Sequence, residues 1–369
     1  MANNNKTLKK GVSLGQYGMM IMLVAVYVLF AIITKGKNLT PMNINNLIMQ
    51  NGYVVILAVG MLLCVLTGNV DLGVGSVVAS CGAVAGTLIV DMGWSSPMAM
   101  LGALGVGVAF GLFVGFFVAY LQIPPFIVTL ATMLMGRGLC YVILQAQTKG
   151  PLPADYNFIG TGFLPTVKVM EGAAVNGGKG VDLICLIVAA VAVGKLVVLI
   201  GVIGFFFFKL ACYNGIPVVL LLMVALVAIY HFITTKTVAG RQIYAMGGNA
   251  KAARLSGIDT KKVFFWVYTN MGLLAAVAGI VLSARNQSAT PKAGDGFEMD
   301  AIASCYIGGA ATSGGVGTII GCVIGAFIMG ILNNGMSLAG YDTNIQKIVK
   351  GLVLLGAVTF DLISKRKKK

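Results

Sequence analysis

Asp71 is the acid most deeply set in apolar sequence, shortly after a run over 48–66 and at the start of another over 70–90. An ionised carboxylate at the centre of a bilayer is costly, so such a residue marks a functional site by default. Two readings stand. The carboxylate caps a helix that starts near Leu72 by accepting its free N–H groups, or it lines the path of a polar solute, and both can hold together. Arg137, well inside its own apolar run, either pairs with Asp71 or lies near the outer end and snorkels. Uncharged polar groups stand within or at the ends of other runs: Gln122, Thr129, Thr132, Asn270, Asn333 and Asn334. Amides and hydroxyls donate and accept hydrogen bonds with no charge to desolvate, which suits a neutral, hydroxyl-rich solute. The same groups also serve as fasteners between helices. The candidates for lining a path are Asn69, Asp71, Gln122, Thr129, Asn270, Asn333 and Asn334.

What is missing narrows the chemistry. The chain has no G-x-x-x-x-G-K-[ST] phosphate loop, no G-x-S-x-G elbow and no H-E-x-x-H pair. His231 is the single histidine, and the seven cysteines lie scattered in or beside apolar runs without a Cys-x-x-Cys pair. They read as packing residues, so no catalytic set, metal site, cofactor or disulfide framework is expected. Asp91, Asp155, Glu171, Asp182, Asp259, Asp295, Glu298, Asp300, Asp342 and Asp361 read as loop or helix-end acids, leaving Asp71 as the one buried carboxylate. A proton- or sodium-coupled carrier normally needs several.

The elements that must position these residues are membrane helices. The chain is 58% hydrophobic and 10% charged over 369 residues, with a mean hydropathy of +0.93; soluble domains carry about a quarter charged residues. Several runs are long enough to cross about 30 Å of hydrocarbon as helices, and they do not alternate as barrel strands would. The net charge of +15 sits largely in loops and ends, where anionic lipid and the positive-inside rule account for it, so no nucleic-acid partner is implied. The basic arm 1–16 and the tail 364–369 are expected to be cytoplasmic, which requires an even number of crossings. Expected spans are 17–33, 48–66, 70–90, 98–121, 124–146, 216–234, 263–284, 316–333 and 345–363, with a short apolar segment over 301–311. The brief polar link after Thr67 suggests a broken helix or a tight hairpin inside the protein. Gly107, Gly111 and Gly115 form a four-residue ladder for close helix packing, as do Gly317, Gly321 and Gly325. Residues 147–180 read as an external loop or lid, 181–193 and 196–212 as a short hairpin, and 285–300 as an external polar loop. Tyr120, Tyr141, Trp94 and Trp266 lie near span ends as interfacial anchors. The expectation is an all-α polytopic membrane protein forming a single transmembrane domain over 1–369, with about ten core helices, up to twelve crossings, and broken or re-entrant helices.

The longest water-soluble link runs over 235–262 and carries six basic residues against Asp259. Its middle, Asn249 to Ser256, reads as a short helix with Asn249 as N-cap and Gly257 just past its end. Gly247 and Gly248 read as a flexible lead-in before the cap. The string GRQIYAMGGNAKAARLSGI resembles the coupling-helix loop in the permease subunits of bacterial ATP-binding-cassette sugar importers, in particular the ribose, xylose and multiple-monosaccharide permease family. NVDLGVGS at 69–76, PPFIVTL at 124–130 and the stretch over 300–337 agree with that family in the same order, and the likeness covers nearly the whole chain except about 150–215. The family usually has serine where this chain has Gly73, and a longer basic connection where this chain has 181–215.

The resemblance implies a vitamin-B12-permease-like importer fold in a bacterial plasma (inner) membrane, crossed many times. It also implies a homodimer around one path, a separate ATP-binding-cassette ATPase subunit below, and a periplasmic or lipid-anchored sugar-binding protein above. ATPase contact would fall on Gly240, Arg241, Gly247, Gly248 and Asn249, and on Ala252, Ala253, Arg254, Ser256 and Gly257. The chain would be no enzyme itself, and a monosaccharide of the xylose or multiple-sugar type would be the solute. Two alternatives are a permease for another small polar solute, such as a branched-chain amino acid or a nucleoside, and a stand-alone secondary carrier.

Overall fold

The computed structural model describes residues 14–165 and 208–366. Regular structure there is helical: α1 (Leu14–Ile33), α2 (Pro41–Leu66), α3 (Val74–Val90), α4 (Ser96–Ala119), α5 (Pro125–Leu144) and α6 (Ala154–Thr161). These are followed by α7 (Val218–Lys236), α8 (Val238–Gly248), α9 (Ala250–Leu255), α10 (Thr260–Asn286), α11 (Phe297–Ile307), α12 (Ile319–Leu338) and α13 (Thr343–Arg366). Six of them, α2, α4, α5, α7, α10 and α12, are long and apolar enough to cross a membrane, and α1 and α3 contain shorter apolar stretches.

Local signals explain the ends. Thr40 caps α2, its hydroxyl accepting from Asn43 N, and proline at the first helical position needs no donor there. Pro125 opens α5 in the same way. The first span after α1 starts well before the expected residue 48. Hydropathy missed Asn43 and Asn45 because they are polar, but both are buried and hydrogen-bonded inside the protein.

α2 and α10 form the centre; nearly the whole of α2 is buried. α10 packs on α2, α3 and α4, so it lies between α2 and α3, and the link 67–73 is a break between separated helices and not a tight hairpin. The first glycine ladder packs backbone on backbone, and so do Gly321 and Gly325 of the second, whereas Gly317 lies in the turn before α12 and faces the side chains of Leu62 and Ala310. A Cβ on Gly111 would fall 2.7 Å from Thr269 O, and Gly107 is equally tight against Gly272 of α10. Gly321 and Gly325 press on Gly308 and Ser304, closing α12 onto α11. Such contact replaces the hydrophobic drive that helices lack in lipid.

Three expectations about the links change. Residues 154–161 form α6, which seats Tyr156 against α10 through a 2.8 Å bond to Ser283, so this part of the supposed lid is packed structure. Val218 N donates to Gly162 O at 2.9 Å and Leu164 N to Ile216 O at 3.0 Å. The described residues on either side of 166–207, namely 162–164 and 216–218, therefore lie side by side; the expected hairpin over 181–193 and 196–212 lies outside the described residues except for 208–212. The supposed external loop 285–300 is in fact inside the bundle beyond Ala289. Ala289 packs at Gly86 and Gly294 at Gly75, so 287–296 descends along α3 for eleven helical residues, about 16 Å. α11 then continues the descent, and the 308–318 turns reach the C-terminal end of α2, where Gly315 N donates to Leu66 O at 2.9 Å. One side of this broken pass is packed on α3 while side chains such as Lys292 and Asp295 are exposed; irregular backbone is tolerated at membrane depth where protein or water surrounds it. α12 and α13 return as continuous helices.

Candidate functional site

Asp71 is 6% exposed, and its Oδ1 accepts from Gly73 N at 2.8 Å. Asp71 is therefore not the cap of α3: the N-cap is Gly73, with no side-chain cap bond, and the carboxylate closes a turn just ahead of the helix. Asp71 also borders a small cavity of about 10 Å³ shared with Thr132 of α5 and Tyr268 and Met271 of α10, roughly enough for one water. The Tyr268 hydroxyl is buried there with no hydrogen-bond partner among the described residues.

Arg137 does not reach Asp71. Its guanidinium donates to Pro291 O at 2.9 Å and Ala293 O at 2.6 Å, so it clamps the descending segment and does not snorkel into lipid.

Most of the other path candidates turn inward as fasteners. Thr129 is fully buried, bonded to Phe126 O at 3.3 Å. Asn270 accepts from Tyr230 and ties α10 to α7. Asn334 and Asn43 exchange hydrogen bonds, 2.9 Å one way and 3.1 Å the other. Asn333 donates to Asp300 at 3.4 Å. Asn69 is half-buried and bonds to Thr67, and Gln122 is exposed at positive φ in the turn between α4 and α5.

The polar group that sequence reasoning missed is Asp300. Read as a helix-end acid, it is 2% exposed in the first turn of α11 and pairs with Lys350 of α13 at 3.0 Å. The bundle thus buries a second carboxylate besides Asp71, and the count of one was wrong. No local signal marks Asp300, because its partner lies fifty residues away.

The short helix over 250–255 is built as Asn249 and Gly257 predict, while α8 and the Asp259 cap were not foreseen. Thr237 caps α8, accepting from Gly240 N at 3.3 Å, and Asn249 caps α9, accepting from Ala252 N at 3.0 Å. Ser256 closes α9, and Gly257 follows at φ +86°. Asp259 caps α10, accepting from Lys261 N and Lys262 N at 3.1 and 3.2 Å, and these backbone donors hold its carboxyl below the usual aspartate range.

On α9, Ala253 faces the bundle while Ala252 and Arg254 are exposed; Leu255 is 89% exposed. Arg241, Asn249, Ser256 and Gly257 are also exposed, whereas Gly240 is wedged against Ile233 and Thr234. The pair Gly247 and Gly248 is no flexible lead-in. Both are the last residues of α8, and Gly247 is packed so closely on Leu66 that no side chain fits. Tyr244 donates to Gly317 O at 2.7 Å. α8 therefore touches the end of α2 and the 308–318 turns, linking the exposed α9 to the core.

A bundle of long apolar helices with a broken pass and a short, capped, exposed helix defines a polytopic membrane protein. The family model for the permease component of branched-chain amino acid transport systems matches residues 43–358, and the chain belongs to that family. Over 97% of its length it is 36% identical to the xylose transport system permease protein of Haemophilus influenzae, covering 99% of that relative. It is 38% identical to the xylose transport system permease protein of Escherichia coli K12, over 97% of this chain and 94% of the relative. The ribose import permease protein of E. coli K12 is 37% identical over 92% of each. No solved structure matches the chain.

Proposed function

We propose that this chain is the permease subunit of an ATP-driven monosaccharide importer, with a pentose such as xylose as its solute. It forms a homodimeric path in a bacterial plasma membrane, with both termini and the 235–262 link cytoplasmic. A separate ATP-binding-cassette ATPase docks on α9, and a sugar-binding protein delivers solute at the opposite end.

The observation that carries this reading is α9 itself. A two-turn helix, capped at both ends, presents Arg254 and the almost fully exposed Leu255 to a partner. An apolar side chain beside a positive one is the composition of an interface anchor. The names of the similar permeases support the sugar, and the absence of a phosphate loop in the sequence supports a separate ATPase.

Mechanistically, ATP binding moves the ATPase against α9. α8 passes that movement to Leu66 and the 308–318 turns, and the bundle shifts between two arrangements that open on opposite sides. The test is uptake of labelled xylose into proteoliposomes that hold the chain, its ATPase and its binding protein. Uptake must require internal ATP; uptake by the purified chain alone would sink the reading.

A further inference from the structure

The descending segment carries charge to a depth where lipid does not accept it. Arg137 lies twelve residues after Pro125 and seven before Leu144, about 18 Å and 10 Å along α5, so it sits well within a hydrocarbon layer of about 30 Å. Gly136 touches Ser76, and Gly75 faces Gly294 and Glu298, which puts the end of the segment at that same level. The position is locked: Gly294 has φ +72° and no room for a side chain against Gly75, Arg137 grips two carbonyls, and the Phe297 ring stacks on Tyr53 at 4.2 Å.

The side chains on this wall do not all turn into the core. Lys292 and Asp295 are exposed and Glu298 is half-buried. Lys347 of α13, also exposed, pairs with Asp295 at 2.8 Å. One turn on, Lys350 holds one oxygen of the buried Asp300. Among the described residues the other, Oδ1, has no hydrogen-bond partner, and neither has Asn333 Oδ1. Exposed charges at such depth face water or a partner protein and not lipid, and two buried acceptors with no donor among the described residues are suited to water or a solute hydroxyl.

We propose that the wall formed by 291–300, Arg137 and the first turns of α13 lines a water-filled passage, and that a neutral polyhydroxyl solute is hydrogen-bonded there in transit. Glu298 accepts from its hydroxyls, and Lys347 donates. Lys292, Lys347 and Arg137 stand against Asp295 and Glu298, so charge is nearly balanced and the wall has little field to select an ion. Carboxylates and ammonium groups side by side offer both acceptors and donors, as a ring of hydroxyls requires. The sugar half of this proposal rests on the importer reading above; the water-filled wall does not.

The experiment places single cysteines by Asp295→Cys, Glu298→Cys and Lys347→Cys, with Val224→Cys on the exposed face of α7 as comparator, and the parent chain as background. Membrane vesicles are treated from both sides with a charged, membrane-impermeant thiol reagent, with and without saturating xylose. Water contact predicts reaction at 295, 298 and 347 about tenfold or more faster than at 224, because charged reagents do not enter hydrocarbon. Xylose is expected to slow reaction at 298 about threefold or more, by occupying the wall. Rates at 298 and 347 no faster than at 224 overturn the proposal, and position 347, being exposed, remains informative if the 298 variant fails to fold. Fast reaction that xylose does not slow at any position overturns the solute half. ATP-dependent uptake by the parent complex, measured alongside, separates the two readings: uptake with unreactive wall cysteines defeats only this one.

Discussion

Gly247 rests on the carbonyl of Leu66 with no space for even a methyl group, and the same carbonyl accepts a 2.9 Å hydrogen bond from Gly315 N. The end of α8, the end of α2 and the broken pass thus meet at one oxygen. Gly247→Ala is expected to force these elements apart, an overpacking effect of about 1–3 kcal/mol or more. Next to it, Gly248 has open space where a Cβ would go, so Gly248→Ala should cost little. Thermal unfolding in detergent, together with ATP-dependent uptake, checks the contrast; equal behaviour of the two variants would show that the close contact carries no weight.

Arg254→Glu and Leu255→Asp change only exposed side chains of α9. Expression, membrane insertion and melting temperature should match the parent. Uptake should fall by about tenfold or more, since a buried anchor at an interface is worth about 2 kcal/mol. Co-purification of the ATPase reads the docking step directly, and full retention of both partner and uptake would remove α9 from the interface.

The reciprocal amide pair of Asn43 and Asn334 fastens the start of α2 to the end of α12. Asn334→Leu leaves a buried amide without its partner, at a cost of about 1–3 kcal/mol. The double variant Asn43→Leu with Asn334→Leu removes both amides and should recover part of that loss. A double variant less stable than the sum of the singles contradicts the pairing.

Lys350→Met strands the Asp300 carboxylate inside the protein. Breaking one side of a buried ion pair costs about 3–5 kcal/mol, so this variant should accumulate poorly. Lys350→Met combined with Asp300→Asn carries no stranded charge and should accumulate better. Measured protein levels in the membrane decide between a paired and an idle Asp300.

The Asp259 carboxyl titrates below its ordinary 3.8 because the backbone donors at Lys262 and Lys261 favour the charged form. A lowered folded pKa means the cap contributes above the ordinary value and fades as pH falls through the depressed one. Amide exchange at Lys261 and Lys262 should therefore quicken relative to the rest of α10 on acidification below that range, and Asp259→Ala should abolish the pH dependence. An unchanged profile in the variant would count against the cap.

Much of this was legible along the chain. The apolar runs announced helices because a bilayer admits few other structures, and Asn249 and Gly257 marked the ends of α9 through local bonds, whereas the caps Thr40 and Asp259 were not read from the sequence. The glycine ladders announced close packing because a four-residue spacing falls on one helix face.

What only the tertiary structure decided is the direction and company of each polar side chain. Asn270, Asn333 and Asn334 looked like a solute path, yet each has a partner on a distant helix. Asp300 looked exposed until Lys350 met it. The segment after Ala289 looked like an external loop because it is polar, and it runs inside because Gly75 and Gly294 let two backbones touch and Arg137 supplies the missing donors. Periodicity states which residues share a face. It carries no information on what that face will touch, since such contacts join positions tens to hundreds of residues apart.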